Sequence, residues 1–180
     1  MYALKKIKSG ILPALCLILI YAPLLNAREE DKAFHISPEI ESREINSCIQ
    51  YSRDSTGKAL LADMLKSGLP YERHEEMTPL ILNYSSDAIW VRIPVVNTYD
   101  VRLNWILEFR YPLIDYIDVY VTTKEDIFKM HGGDNIPGRE RIIQSRTFAF
   151  PVTSPPGRSE IVLRVRSGGS ININLHAWGE

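Results

Sequence analysis

Cysteine is nearly absent: the 180 residues contain two, Cys16 and Cys48. With one of them in an N-terminal leader, as argued below, no internal disulfide is available, and an exported domain of this kind must rely on its core. A basic excess is also missing. The net charge is −1, and no basic stripe of the kind that grips a phosphate backbone is present, which excludes a nucleic-acid partner. The four histidines, His35, His74, His131 and His176, lack metal-ligand spacing. No GxSxG elbow, HExxH pair or GxxxxGK[ST] loop occurs, so no catalytic residue, metal site or cofactor is expected. Carboxylates such as Asp115 and Asp118 are scattered. Internal repeats and low-complexity segments are absent.

One apolar run exists, and it lies at the start. Lys5, Lys6 and Lys8 form a basic n-region, Ile11 to Leu25 an apolar stretch, and Leu25-Asn26-Ala27 a small residue at a cut. Residues 1–27 therefore read as a secretory signal peptide. The run is short for a bilayer span and is interrupted by Pro13 and Pro23. Cys16 follows Leu15 rather than a small residue, which argues against a lipoprotein anchor. Cleavage removes three lysines and no acids, moving the net charge to −4. The mature chain holds no second segment apolar enough to span a membrane, and its expected location is the periplasm. Cys48 is expected as a small, partly buried side chain; a reactive thiol or an intermolecular bridge is the alternative.

Hydrophobic content of 45 % and charged content of 24 % suit one globular domain with a sizeable core. Eleven prolines and nine tyrosines favour a β-rich fold with many turns. Residues 28–41 read as a linker or an opening strand, and 42–180 as the domain. Asp54-Ser55-Thr56 offers helix N-caps, and Leu60, Leu61, Met64 and Leu65 form an apolar stripe ending at Gly68, a C′ position. This predicts one short helix whose leucines join the core. From Leu80 the period becomes two. Strands are expected over Leu80–Tyr84, Ala88–Val96, Asn104–Arg110, Tyr116–Thr122, Phe128–His131, Arg146–Val152, Ile161–Ser167 and Ser170–Ala177. The fold class is all-β: an antiparallel β-sandwich of jelly-roll type with one short helix.

Alternation assigns faces. Trp105, Leu107 and Phe109, then Ile117, Val119 and Val121, then Ile161, Leu163 and Val165, then Ile171, Ile173 and Leu175 should form much of the core. The runs on either side of Tyr111-Pro112 read as a β-hairpin. The outward row Tyr116, Asp118 and Tyr120 is the best binding candidate, because a pyranose presents an apolar face and a rim of hydroxyls. Glu108 and Arg110 join it if the hairpin pairs. Asn172, Asn174 and His176 form a second polar row on the last strand, near Arg164 and Arg166. The plain alternative for both rows is the wet face of half-buried strands. Between His131 and Arg146, the arginines Arg139, Arg141 and Arg146 could clamp an anion, although a long β-connection explains the glycines equally well.

An ordered series of short motifs carries a family resemblance. It starts with Ile49-Gln50-Tyr51 and Asp54, and continues through Ile89-Trp90-Val91-Arg92 and Asn97. Trp105-Ile106-Leu107-Glu108, Tyr111-Pro112-Leu113-Ile114-Asp115 and Ile117-Asp118-Val119-Tyr120 follow. Gly133-Asp134, Arg146, Phe148, Phe150-Pro151 and Leu163-Arg164-Val165-Arg166-Ser167 complete it. From Ser42 to Trp178 the chain resembles the type 2 extracellular (periplasmic) domain of 7TMR-DISM receptors, seven-transmembrane receptors with diverse intracellular signalling modules. The resemblance implies a sandwich similar to carbohydrate-binding modules, serving as the periplasmic input of signal transduction. It implies carbohydrate or another small molecule as ligand, and it brings no ligand residues, so the candidate rows rest on pattern alone. In such receptors seven membrane helices and an output module follow. This chain ends at Glu180, which leads us to expect either a stand-alone domain or a truncated reading frame.

The expected function is therefore an exported, non-catalytic ligand-binding sensor domain without membrane helices or output module. The alternatives are a periplasmic protein–protein interaction module, whose partner would be a membrane receptor or envelope protein, and a carbohydrate-active enzyme.

Overall fold

The computed structural model describes residues 32–66 and 70–179. The segment read above as a signal peptide and the expected C′ glycine at position 68 lie outside the described residues. The strands are β1 (Phe34–Ile36), β2 (Ser42–Glu44), β3 (Gln50–Asp54), β4 (Glu72–Arg73), β5 (Leu80–Tyr84), β6 (Ala88–Asn97), β7 (Leu103–Phe109), β8 (Tyr116–Thr122), β9 (Ile127–Gly132), β10 (Phe148–Ser154), β11 (Gly157–Arg166), β12 (Ser170–Ile173) and β13 (Leu175–Gly179). One short α-helix among the described residues, α1, spans Leu61–Leu65.

The first sheet runs β4-β3-β6-β11-β8-β9, with β1 added parallel to the end of β6. The second runs β10-β7-β13-β2, and β12 pairs with β5 in a small ribbon. All pairings apart from that of β1 are antiparallel. The two main sheets enclose one core, as in a β-sandwich. All twelve residues expected inside from alternation are buried. The core also takes Phe34 and Ile36 of β1, ahead of Ser42, and the Phe34 ring lies 5.2 Å from that of Trp105.

The expected hairpin does not form. β7 pairs with β10 and β13, while β8 pairs with β11 and β9. Residues 110–115 instead carry the chain from one sheet to the other, with Ile114 buried on the way. Alternation says which side of a strand is dry, but a strand has two hydrogen-bonding edges, and both edges of β7 and of β8 are taken by other strands.

The last expected strand is also two. It breaks at Asn174, where β12 leaves the ribbon and β13 joins the second sheet. The break is stabilised by Asn46, which is fully buried. Its side-chain carbonyl accepts the N–H of Leu175 at 2.8 Å, and its amide donates to the Met77 carbonyl at 2.8 Å and toward Asn174 Oδ1 at 3.4 Å.

Helix α1 differs from expectation as well. Met64 is buried, Leu61 is half-buried, and Leu60 and Leu65 are exposed. A helix of five residues is under two turns long, so its contact with the outward face of the first sheet is narrow. There Met64 meets Trp90 and Val162 in a small cluster, with Tyr71, Tyr120, Ala59 and Leu61 at its margin. Asp54 anchors the start of this covering segment: its carboxylate accepts the N–H groups of Thr56, Gly57 and Ala59 and the Thr56 hydroxyl.

Candidate functional site

The row Tyr116, Asp118 and Tyr120 lies on the outward side of β8. In register with it stand Arg166, Arg164 and Val162 of β11 on one side, and His131 and Lys129 of β9 on the other. Aromatic rings and charged groups therefore alternate across three strands. Tyr116 is 41 % exposed, with the Arg166 guanidinium 4.9 Å from its ring centre. Tyr120 is different. It stacks on the buried Trp90 with ring centres 6.3 Å apart, and Lys129 sits 5.4 Å from its ring centre. Asp118 holds Lys129 at 3.3 Å. Burial alone would lower the Lys129 pKa, but the charge and hydrogen bond of Asp118, with Tyr120, outweigh it and push it up.

The same face continues toward α1. Arg164 reaches over Trp90 and donates to the Gly57 carbonyl at 2.6 Å, and Arg92 lies over Tyr71 while pairing with Glu160. Burial first, then the charge of Glu160, pushes the Tyr71 hydroxyl up to about 12, against the opposing effect of Arg92. Trp90 Nε1, Tyr71 Oη and Arg164 Nε are buried here without a hydrogen-bond partner among the described residues. Such groups raise the cost of burial.

Glu108 and Arg110 do not neighbour this row, because β7 belongs to the other sheet. Glu108 instead sits opposite His176 on β13, and Arg110 lies over the Trp178 ring. Glu108 accepts from Thr147 at 2.7 Å, Trp178 Nε1 at 2.5 Å and Arg110 at 3.0 Å. Burial raises the Glu108 carboxyl, but these three hydrogen bonds and the Arg110 charge outweigh it and hold its pKa below the usual range. His176 is buried, contacts Glu44 at 3.2 Å and stacks on Trp178, whose ring Arg110 also covers. A carboxylate already receiving three donors is structural in character. Asn172 and Asn174 do not join His176, since the chain changes sheets between them. The second polar row therefore does not exist as one surface.

Two features escaped the sequence. Trp178 and Thr147 complete the Glu108 cluster; Trp178 shares the outward period of His176, which was a usable signal. A cleft of about 620 Å³ also opens beside β9, lined in part by Phe128 and the Pro155-Pro156 turn. Its residues come from separated segments, and no spacing reveals it. Cys48 is half-buried against the core, and burial pushes its thiol up despite Ser47 and Arg43, which favours the protonated form. Among the described residues no group of three His, Cys, Asp or Glu side chains could hold a metal, and no helix is long and apolar enough to cross a membrane.

The ordered motifs of β3, β6 to β8, β10 and β11 all fall in this one sandwich, and the family model for 7TMR-DISM extracellular 2 matches residues 46–179. The chain belongs to the 7TMR-DISM extracellular 2 family. No curated protein matches this 7TMR-DISM domain. Solved structures similar to it include a Bacillus thuringiensis Cry1Da tryptic core variant (13 % identity, TM-score 0.39, 81 % of this chain and 24 % of the other). The C-terminal CBM6 of LamC, a marine laminarinase from Zobellia galactanivorans, is another (14 %, 0.37, 78 % and 100 %). A third is an exo-beta-1,3-galactanase from Phanerochaete chrysosporium with galactose (14 %, 0.36, 77 % and 29 %). This domain thus spans about a quarter of the length of the first of these chains.

Proposed function

We propose that this 7TMR-DISM extracellular domain is an exported, non-catalytic ligand-binding input module, with carbohydrate as its ligand class and the outward face of β8 as its binding surface. Its reading as an input module rests on the family, an extracellular domain of signalling receptors. The observation that carries the site is Tyr116, an aromatic ring 41 % exposed between Arg166 and Asp118. A sugar stacking on that ring displaces the Arg166 guanidinium, and an exposed cation–π contact is worth only about 0.5–1 kcal/mol. The freed guanidinium and the Asp118 carboxylate are then placed to bond the hydroxyl rim. Tyr120 supports the surface from beneath Lys129 and contributes packing more than contact. In a receptor, such a ligand acts through its differential affinity for alternative domain arrangements.

Titration calorimetry of the exported protein with a panel of oligosaccharides tests this. We expect one class to bind, and Tyr116→Ala to weaken it by about tenfold with an unchanged melting temperature. Normal binding of a confirmed sugar by Tyr116→Ala would remove β8 from the reading. No binding across the panel would favour a protein partner, a second reading supported by Ile81 and Tyr84 of β5, bulky side chains 58 % and 81 % exposed.

A further inference from the structure

The two sheets are not equally close along their β9–β10 margin. At Gly132 they touch: a Cβ there would stand 2.9 Å from the Phe150 ring. Earlier along β9 they separate. Met130 is half-buried, and Phe128, also on the inward side, is 56 % exposed. Its cross-strand partner Val121 is 3 % exposed. β9 is the last strand of one sheet and β10 the last of the other, so among the described residues no hydrogen-bonded strand seals the gap. The result is the cleft of about 620 Å³, within the range of small-molecule sites.

Val121, Phe128 and Met130 give it an apolar floor, while Pro151, Pro155 and Pro156 contribute walls whose φ angles are fixed. The turn above it is also held: Thr123 N–H donates to the Asp126 carbonyl at 2.9 Å, and the Thr123 hydroxyl accepts from Asp126 N–H at 3.0 Å. The site is therefore largely formed before anything enters, which limits the ordering cost of binding. Its charged lining is uneven. Arg102, Lys124 and Arg158 line it with Glu125 and Asp126, while the Lys129 ammonium is held on the other face by Asp118, so cations outnumber acids in a chain whose net charge is negative.

We propose that this cleft is a second binding site, which takes a small organic anion with an apolar body, of the aryl or medium-chain alkyl carboxylate or sulfonate class. The body lies on Phe128 and Met130, and the acid group meets the rim cations. This site is independent of the β8 surface and of the carbohydrate reading.

The probe is 1-anilinonaphthalene-8-sulfonate, titrated by fluorescence into the folded full chain, with neutral N-phenyl-1-naphthylamine for comparison. We expect saturable binding of one sulfonate per chain, about tenfold tighter than the neutral dye, and competition by decanoate. Phe128→Ala should weaken the sulfonate about tenfold. Lys124→Glu, on the exposed turn, should weaken it several-fold and flatten its salt dependence. Tyr116→Ala should leave it unchanged. Circular dichroism checks that each variant keeps its fold; if Phe128→Ala does not, Lys124→Glu and decanoate competition decide. Non-saturable binding, equal affinity for both dyes, or indifference to the cleft substitutions would overturn the proposal.

Discussion

The side-chain carbonyl of Asn46 accepts the backbone N–H of Leu175 at 2.8 Å, across 129 residues of sequence. Leu175 is the first residue of β13, where the chain has just left the β5–β12 ribbon. A polar side chain here does the work of a strand, satisfying the ladder at the point where the chain changes sheets. Replacing Asn46 by Ala leaves the buried Leu175 N–H without its acceptor, while the Met77 carbonyl, on a residue 49 % exposed, can turn to water. One buried stranded group costs about 1–3 kcal/mol, so urea denaturation should show Asn46→Ala destabilised by about that amount. A change within experimental error would mean that the break is held by packing alone.

Ser154 plays a comparable part for Trp105. The buried indole N–H donates to the Ser154 hydroxyl at 2.9 Å. Ser154→Ala removes the acceptor with little change of volume, and should cost about 1–3 kcal/mol. Ser154→Thr keeps the hydroxyl but adds a methyl group in a filled site. Comparing the denaturation midpoints of the two variants separates the hydrogen bond from the packing.

Gly133 has φ +126°, and a Cβ on it would stand 2.2 Å from the Asp115 carbonyl oxygen. That approach is fixed on both sides, since Asn135 N–H donates to the same carbonyl at 3.2 Å. Gly133→Ala meets both backbone strain and a backbone clash. We expect the protein to lose its cooperative melt, or to melt many degrees lower, in a thermal scan. Gly138→Ala, with open space around its Cβ position and no positive φ, is the control and should melt as the parent does.

Acid should weaken the fold through Glu108. Its carboxyl is held below the ordinary range in the folded chain, the hydrogen bonds from Thr147, Trp178 and Arg110 outweighing burial. A folded pKa below the unfolded one gives stability that is present above the unfolded value, about 4.3 for glutamate, and is lost as pH falls through the folded value. Asp54, where its hydrogen bonds likewise outweigh burial, acts in the same direction. Urea midpoints measured between pH 7 and pH 3 should therefore fall below about pH 4, and Glu108→Gln should be less sensitive over that window. An unchanged slope would show that Glu108 is equally well solvated when unfolded.

Tyr116 and Tyr120 share one strand and one face but should behave differently. Tyr120→Ala removes a ring stacked on Trp90 and bordering the Met64 cluster, so its melting temperature should drop by several degrees, following a loss of about 1–3 kcal/mol. Tyr116→Ala should leave the melting temperature within about 1 °C while affecting ligand binding. Equal thermal effects would place both rings in the packed layer.

The sequence by itself determined which side of each strand is dry. Trp105, Leu107 and Phe109, or Ile161, Leu163 and Val165, alternate with polar residues, and the pleat turns that period of two into a buried face wherever the strand lies. It also placed the chain in its family, through short motifs in fixed order. Only the tertiary structure decided which strands pair. Hydrogen-bonding edges are backbone, identical for every sequence, so nothing in Asn104–Arg110 or Tyr116–Thr122 announces that they belong to opposite sheets. From that choice follow the separation of Glu108 and Arg110 from Tyr116, Asp118 and Tyr120, and the gathering of Glu108, His176 and Trp178. The division of Asn172, Asn174 and His176 among three settings also depends on it, because Asn46 breaks their strand from 128 residues away. The cleft at Phe128 belongs with these: an inward-facing ring reads as core, and only the spread of two sheet edges leaves it open.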